Sequence, residues 1–188
     1  MSLTLSPTER LNRAKGDLRM GVPVVLVGAD GAALVAAVEA LDATRLADLR
    51  AFGQPELAIT ARRAETLKAR AYDGDLARIV PPADAGVGWL RSLADPADDL
   101  RTPMKGPLTS LRDGPADIHR AALSLAKAAH LLPAALVAKL GEREVVTCQV
   151  EQRVEEHRAV AVREHEAIAV GPARVGRGVR QAALPPRD

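Results

Sequence analysis

From Ser6 to Leu140 the chain alternates capped helical segments with short runs of small and β-branched apolar residues. That alternation restricts it to an α/β fold in which helices layer onto a sheet. Ser6-Pro7-Thr8-Glu9 places a serine N-cap, a proline at the first helical position and a glutamate at capping-box spacing. Leu11, Ala14 and Leu18 then recur at helical intervals, and Gly21 ends the helix. Pro23 to Val27 is a buried strand, and Gly28-Ala29-Asp30-Gly31 a turn. Ala32 to Glu39 reads equally as strand or helix, because alanine hides the period. Asp42 caps a helix that carries Ala43, Leu46 and Leu49 on one face and stops near Gly53. Leu57-Ala58-Ile59 is a strand, Arg62 to Arg70 a helix with a basic outward face, and Ile79-Val80 a short apolar piece between turn signals. Gly88 to Leu93 is helical. Residues 95–114 are loop-like, punctuated by Pro96, Pro103, Gly106, Pro107 and Gly114. An amphipathic helix then spans Asp117 to His130, with Ile118, Ala122, Leu125 and Ala129 on one face. Pro133 stops it, and Ala134 to Leu140 is a strand.

The 188 residues are enough for one domain with a real core. With three aromatics (Phe52, Tyr72, Trp89), that core has to be built from Ala, Leu and Val, and a base-stacking surface for single-stranded nucleic acid is not expected. The 26 basic and 24 acidic residues are interspersed, which argues against a phosphate-backbone patch. The first 21 residues are charged throughout and no apolar run reaches membrane length, so a soluble cytoplasmic protein is expected, with no membrane partner.

Composition changes near residue 140. Residues 1–140 hold 23 Leu and all five Lys, whereas 141–188 hold Leu184 alone and no Lys. The expected organisation is therefore an α/β domain over 6–140 and an atypical, poorly structured tail over 141–188. Ala159 to Val162 and Ala167 to Val170 show strand-like alternation, and disorder is expected from Gly171 onward. Two explanations stand: a change of reading frame in a GC-rich gene, or a genuine C-terminal extension.

The segment 10–67, with RLNRAKGDLRMGVPVVLV, ALVAAVEALDATRLADLRAF and LAITARRAETL, resembles the opening of dihydroxybutanone phosphate synthase. Ala121 to Leu140 (AALSLAKAAHLLPAALVAKL) is similar to that family's late helix, proline and strand. The Met104-Lys105-Gly106-Pro107 loop resembles the diverged domain that precedes GTP cyclohydrolase II in some bacteria. The resemblance implies a diverged synthase-like fold over about residues 6 to 140, and a place in riboflavin biosynthesis.

Departures from the pattern bear on activity. The active synthase has a long acidic loop after its first strand, whose carboxylates hold a divalent metal and act on the sugar phosphate; hard cations need such oxygen ligands. Here the loop is Gly28 to Ala32, with one carboxylate. The family's metal-binding histidine aligns with Ile118, and His119 follows one place later. GTP cyclohydrolase II holds zinc on three cysteines, while this sequence supplies Cys148 alone. The resemblance thus implies no catalytic residues, no metal and no cofactor in this chain.

Other clusters read as structural. Cys148 is expected half-buried on a strand, and His157 and His165 with Glu155, Glu156, Glu164 and Glu166 form a solvated charged edge. His119 and His130 are expected at the surface or in a dimer contact. Arg62, Arg63, Lys68, Lys105 and Arg112, with Arg70 and Arg78, are the candidate anion-binding rim, and Thr60 turns into a helix start beside them; an ordinary solvated helix face is the competing reading. Gly28 to Gly31 lacks dinucleotide-fingerprint spacing. The expected function is a non-catalytic scaffold or dimerisation unit of the GTP cyclohydrolase II type, a homo-oligomer without the zinc domain. The alternative is a regulatory module that binds a phosphorylated metabolite such as GTP, ribulose 5-phosphate or a flavin nucleotide.

Overall fold

Helix α1 (Pro7–Arg19) leads into the hairpin β1 (Val24–Gly28) and β2 (Gly31–Ala37), then α2 (Ala43–Arg50) and β3 (Glu56–Thr60). There follow α3 (Ala61–Thr66), β4 (Leu76–Val80), α4 (Val87–Ala94), β5 (Thr109–Ser110), α5 (Asp117–Ala128), β6 (Ala134–Leu140) and β7 (Ala169–Pro172). This is a computed structural model, and it describes residues 5–29, 31–101, 103, 105–141 and 169–172. The strands form one sheet in the order β5-β4-β3-β6-β2-β1-β7, and every neighbouring pair is antiparallel.

Strand alternation sends successive side chains to opposite faces. Val24, Leu26, Ala33, Val35, Ala135 and Val137 pack with Ala14 and Leu18 of α1 and Ala122 and Leu125 of α5. The alternate residues Leu34, Ala36, Leu57, Ile59, Ile79 and Leu136 pack with Leu46 and Leu49 of α2, Ala64 of α3, and Leu90 and Leu93 of α4. Two helical layers thus sandwich the sheet. Each fully buried leucine contributes on the order of 2 kcal/mol, so a core of Ala, Leu and Val suffices without large aromatics. Phe52 and Trp89 pack against its edge.

The ambiguous run Ala32 to Glu39 resolves as β2. It lies between β1 and β6 and is buried on both faces, so neither face carries the polar residues that would have shown a period of two. At α1 the capping box forms: the Ser6 side chain accepts from the Glu9 N–H at 3.3 Å, and Glu9 accepts from the Ser6 N–H at 2.7 Å. Asp42 caps α2 by accepting from the Arg45 N–H.

Two helix ends differ from expectation, for one reason. Helix α3 stops at Thr66 rather than Arg70, and α5 at Ala128 rather than His130. Lys68 and His130 sit in the left-handed region at φ 58°. The N–H of the residue after each reaches back to close a Schellman motif, Ala69 to the Ala64 carbonyl and Leu131 to the Ala126 carbonyl. Gly21 at φ 71° ends α1 in the same way, where glycine made the stop visible in the sequence.

Segment 169–172 adds β7 to the open edge of β1, with Val27 opposite Ala169 and Val24 opposite Pro172. Gly171 and Pro172, which composition assigns to the disordered end, are thus in the strand. Ala159 to Val162, Cys148, His157, His165 and the neighbouring glutamates lie outside the described residues. Among the described residues, no helix is long and apolar enough to cross a membrane.

Candidate functional site

Three chemistry-bearing side chains meet on the α5 face of the sheet. Glu56 at the start of β3 stands opposite Val137 of β6, and Lys139 lies two residues further along β6 on the same face. The Lys139 ammonium is 2.9 Å from Glu56 Oε1, a diagonal cross-strand ion pair. His119, in the first turn of α5, places Nε2 at 2.7 Å from Glu56 Oε2. The two atoms lie within ion-pair distance but are not aligned as a hydrogen bond. Burial raises the Glu56 pKa, but His119 and Lys139 together overrule it and hold the carboxyl down at about 2.

His119 is 1% exposed, which corrects the expectation of a surface position. The helical face pointing at the sheet includes position 119, because α5 lies flat over β3 and β6 and buries its first turn. His130 is exposed as expected. His119 Nδ1 has no hydrogen-bond partner among the described residues. Beside the cluster is a cavity of about 170 Å³, lined by Pro115, Ile118 and His119 of the α5 entry, Val137, Lys139 and Leu140 of β6, and Ala32.

The β1–β2 connection closes the other side. Gly28 pairs with Gly31, leaving positions 29 and 30 alone to span the turn. Ile118 packs on Gly28, with Cγ1 3.2 Å from where a Cβ would stand. The group implied by the family resemblance, a hard divalent cation, does not fit these residues: Glu56 is already engaged by an ammonium and an imidazole, and Ile118 offers no donor. A zinc site on three thiolates is likewise outside what a sequence with one cysteine can supply.

The expected cationic residues do not come together as one rim. Arg63 and Lys105 converge on Asp99. Arg63 makes a bidentate pair with Asp99 at 2.6 and 2.7 Å and also donates to the carbonyls of Ser92, Leu93 and Asp95. Lys105 donates to the same carboxylate and to the Ser92 carbonyl. These two cations therefore clamp the C-terminus of α4, where a positive charge complements the helix dipole. The Arg63 and Lys105 hydrogen bonds hold the Asp99 carboxyl well below the usual carboxylate range. Arg112 instead lies over the Tyr72 ring, 5.4 Å from its centroid. Arg62, Lys68 and Arg70 are exposed on α3 and just beyond it. Arg78 is fully buried, paired with Asp73 and donating to the Gly114 and Pro115 carbonyls. Thr60 caps α3, accepting from the Arg63 N–H at 3.3 Å.

Many arginines serve this way. Arg19, Arg45, Arg50 and Arg91 donate to the carbonyls of Ala129, Met20, Ala85 and Leu41. A chain with few aromatics thus ties its loops with guanidinium groups. Sequence reasoning missed Glu56 and Lys139. Their one signal was a charge set inside an otherwise apolar strand, in ELAIT and AALVAKL.

The fold is a layered α/β fold like that of 3,4-dihydroxy-2-butanone 4-phosphate synthase. A crystal structure of that synthase from Candida albicans superposes with a TM-score of 0.50 at 18% identity, covering 71% of this chain and 81% of the other. No family model matches the chain. GTP cyclohydrolase-2 of Azospirillum brasilense is 36% identical over 132 residues, which is 68% of this chain and 34% of that protein. The chain carries a synthase-like domain of the GTP cyclohydrolase-2 and riboflavin-protein group, and spans about a third of the curated relative it matches.

Proposed function

We propose that residues 6–140 are a non-catalytic, synthase-like scaffold or dimerisation domain of the riboflavin-biosynthesis group, acting in the cytoplasm, and that 141–188 is an appended segment. The β1–β2 hairpin carries this reading. Where the active synthase has a long acidic loop, the two strands pair to Gly28 and Gly31 and leave no room for a set of carboxylates. Glu56, which contacts the cavity-lining His119 and Lys139, is committed to that cluster rather than held as a base. Incubation of the full chain with ribulose 5-phosphate and Mg²⁺ tests this: no turnover is expected, and conversion overturns it. Light scattering across a concentration series should show a dimer, and a strict monomer removes that part.

A second reading, a regulatory module for a phosphorylated metabolite, draws support from exposed Arg62, Lys68 and Arg70 around α3. Arg63, Lys105 and Arg112 would then act from their present clamps and stacking contact. Thermal stabilisation by GTP, ribulose 5-phosphate or a flavin nucleotide, lost in Arg62→Ala/Lys68→Ala, would favour it.

A further inference from the structure

We propose that the cavity between the first turn of α5 and the end of β6 binds a small monocarboxylate with a short apolar body. The proposal is independent of the scaffold reading.

The anion would be received by groups already in place. His119 is 1% exposed, its Nε2 faces Glu56, and its Nδ1 has no partner among the described residues. A buried orphan polar atom of that kind is rare and costly unless something satisfies it. With an anion bound, Nδ1 donates to the ligand while Nε2 stays beside Glu56. The Lys139 side chain is 55% exposed, and Glu56 Oε1 engages one of its three donors, leaving others for a ligand at the rim. Ala116, the N-cap of α5, offers no side-chain cap, so the first-turn N–H groups also favour negative charge.

Charge and shape narrow the ligand. Lys139 is the one fixed cation of the cluster and already shares its charge with Glu56, so a ligand with a single negative charge suits the site better than one with two. Pro115, Ile118, Val137 and Leu140 make the remaining wall apolar, which suits hydrocarbon. A cavity of about 170 Å³ is close to the roughly 150 Å³ that accommodates benzene, so about six or seven heavy atoms fit.

Isothermal titration of the full chain with sodium pentanoate tests the proposal, with pentan-1-ol and inorganic phosphate as comparison ligands. Saturable one-to-one binding of pentanoate is expected, with a dissociation constant on the order of 1 mM. Pentan-1-ol and phosphate should bind at least about tenfold more weakly. Lys139→Met should weaken pentanoate about tenfold, Ile118→Trp should abolish binding by filling the space, and Lys127→Met should leave it unchanged. Lys139 is half exposed, so its variant keeps the site testable if the Ile118 variant does not fold. No saturable heat up to about 100 mM would overturn the proposal. Equal binding of the alcohol or of phosphate would do so too, as would pentanoate affinity unchanged in Lys139→Met. The scaffold reading stands or falls separately, on turnover and mass.

Discussion

Replacing Glu56 with glutamine removes the one negative charge between His119 and Lys139 while keeping the side chain's size. In the folded protein the Glu56 carboxyl is held at about 2 against an ordinary 4.5. A difference of that size corresponds to about 3 kcal/mol in favour of the ionised form. Lys139 is half exposed and its share is screened, so about 2 kcal/mol is the expected contribution at neutral pH. Because the folded value is depressed, this stability is fully present above pH 4.5 and is lost as pH falls towards 2. Urea unfolding of the wild type and Glu56→Gln at pH 7, 4.5, 3 and about 2 measures it. The variant should be about 2 kcal/mol less stable at pH 7, and the gap should close by about pH 2. Asp75 and Asp99 also lose charge in acid, but they do so in both proteins and cancel in the difference. A gap that stays constant from pH 7 to 2 would show that the carboxylate charge does not hold the cluster together.

Gly21 sits at φ 71°, and an added Cβ would stand 2.2 Å from the Ala40 carbonyl oxygen, so Gly21→Ala should cost about 2 kcal/mol or more in thermal unfolding. Gly88, inside α4 with nothing near its Cβ position, should gain up to about 1 kcal/mol as alanine in the same melts. Arg63→Met leaves Asp99 to Lys105 alone and frees the Leu93 and Asp95 carbonyls, and should cost about 2–4 kcal/mol by urea titration. Lys68→Gly relieves a left-handed residue at a helix end, so the unfolding free energy from urea titration should rise by about 0.5–1 kcal/mol.

Much of the fold was legible because local chemistry announced it. Ser6, Asp42 and Thr60 mark helix starts by their capping side chains, and Gly21 marks an end by its freedom at positive φ. The ends of α3 and α5 were not legible. Lys68 and His130 adopt a glycine-like conformation only because the chain must turn into the next strand. The candidate site was less legible still. Arg63 and Lys105, read as part of an anion rim, are drawn to Asp99, whose place beside them depends on where α4 ends.

By itself the sequence determined the layered α/β class, the capped helix starts, and the short connection after the first strand. Each of these rests on contacts between residues near one another in the chain. The tertiary structure decided that Ala32 to Ala37 is a central strand, that the sheet is antiparallel, and that β7 covers the β1 edge. It also decided that His119 is buried against Glu56 and Lys139. These three side chains come from β3, α5 and β6, far apart along the chain. Their meeting depends on strand register and on where α5 crosses the sheet, both of which follow from burying many apolar residues together.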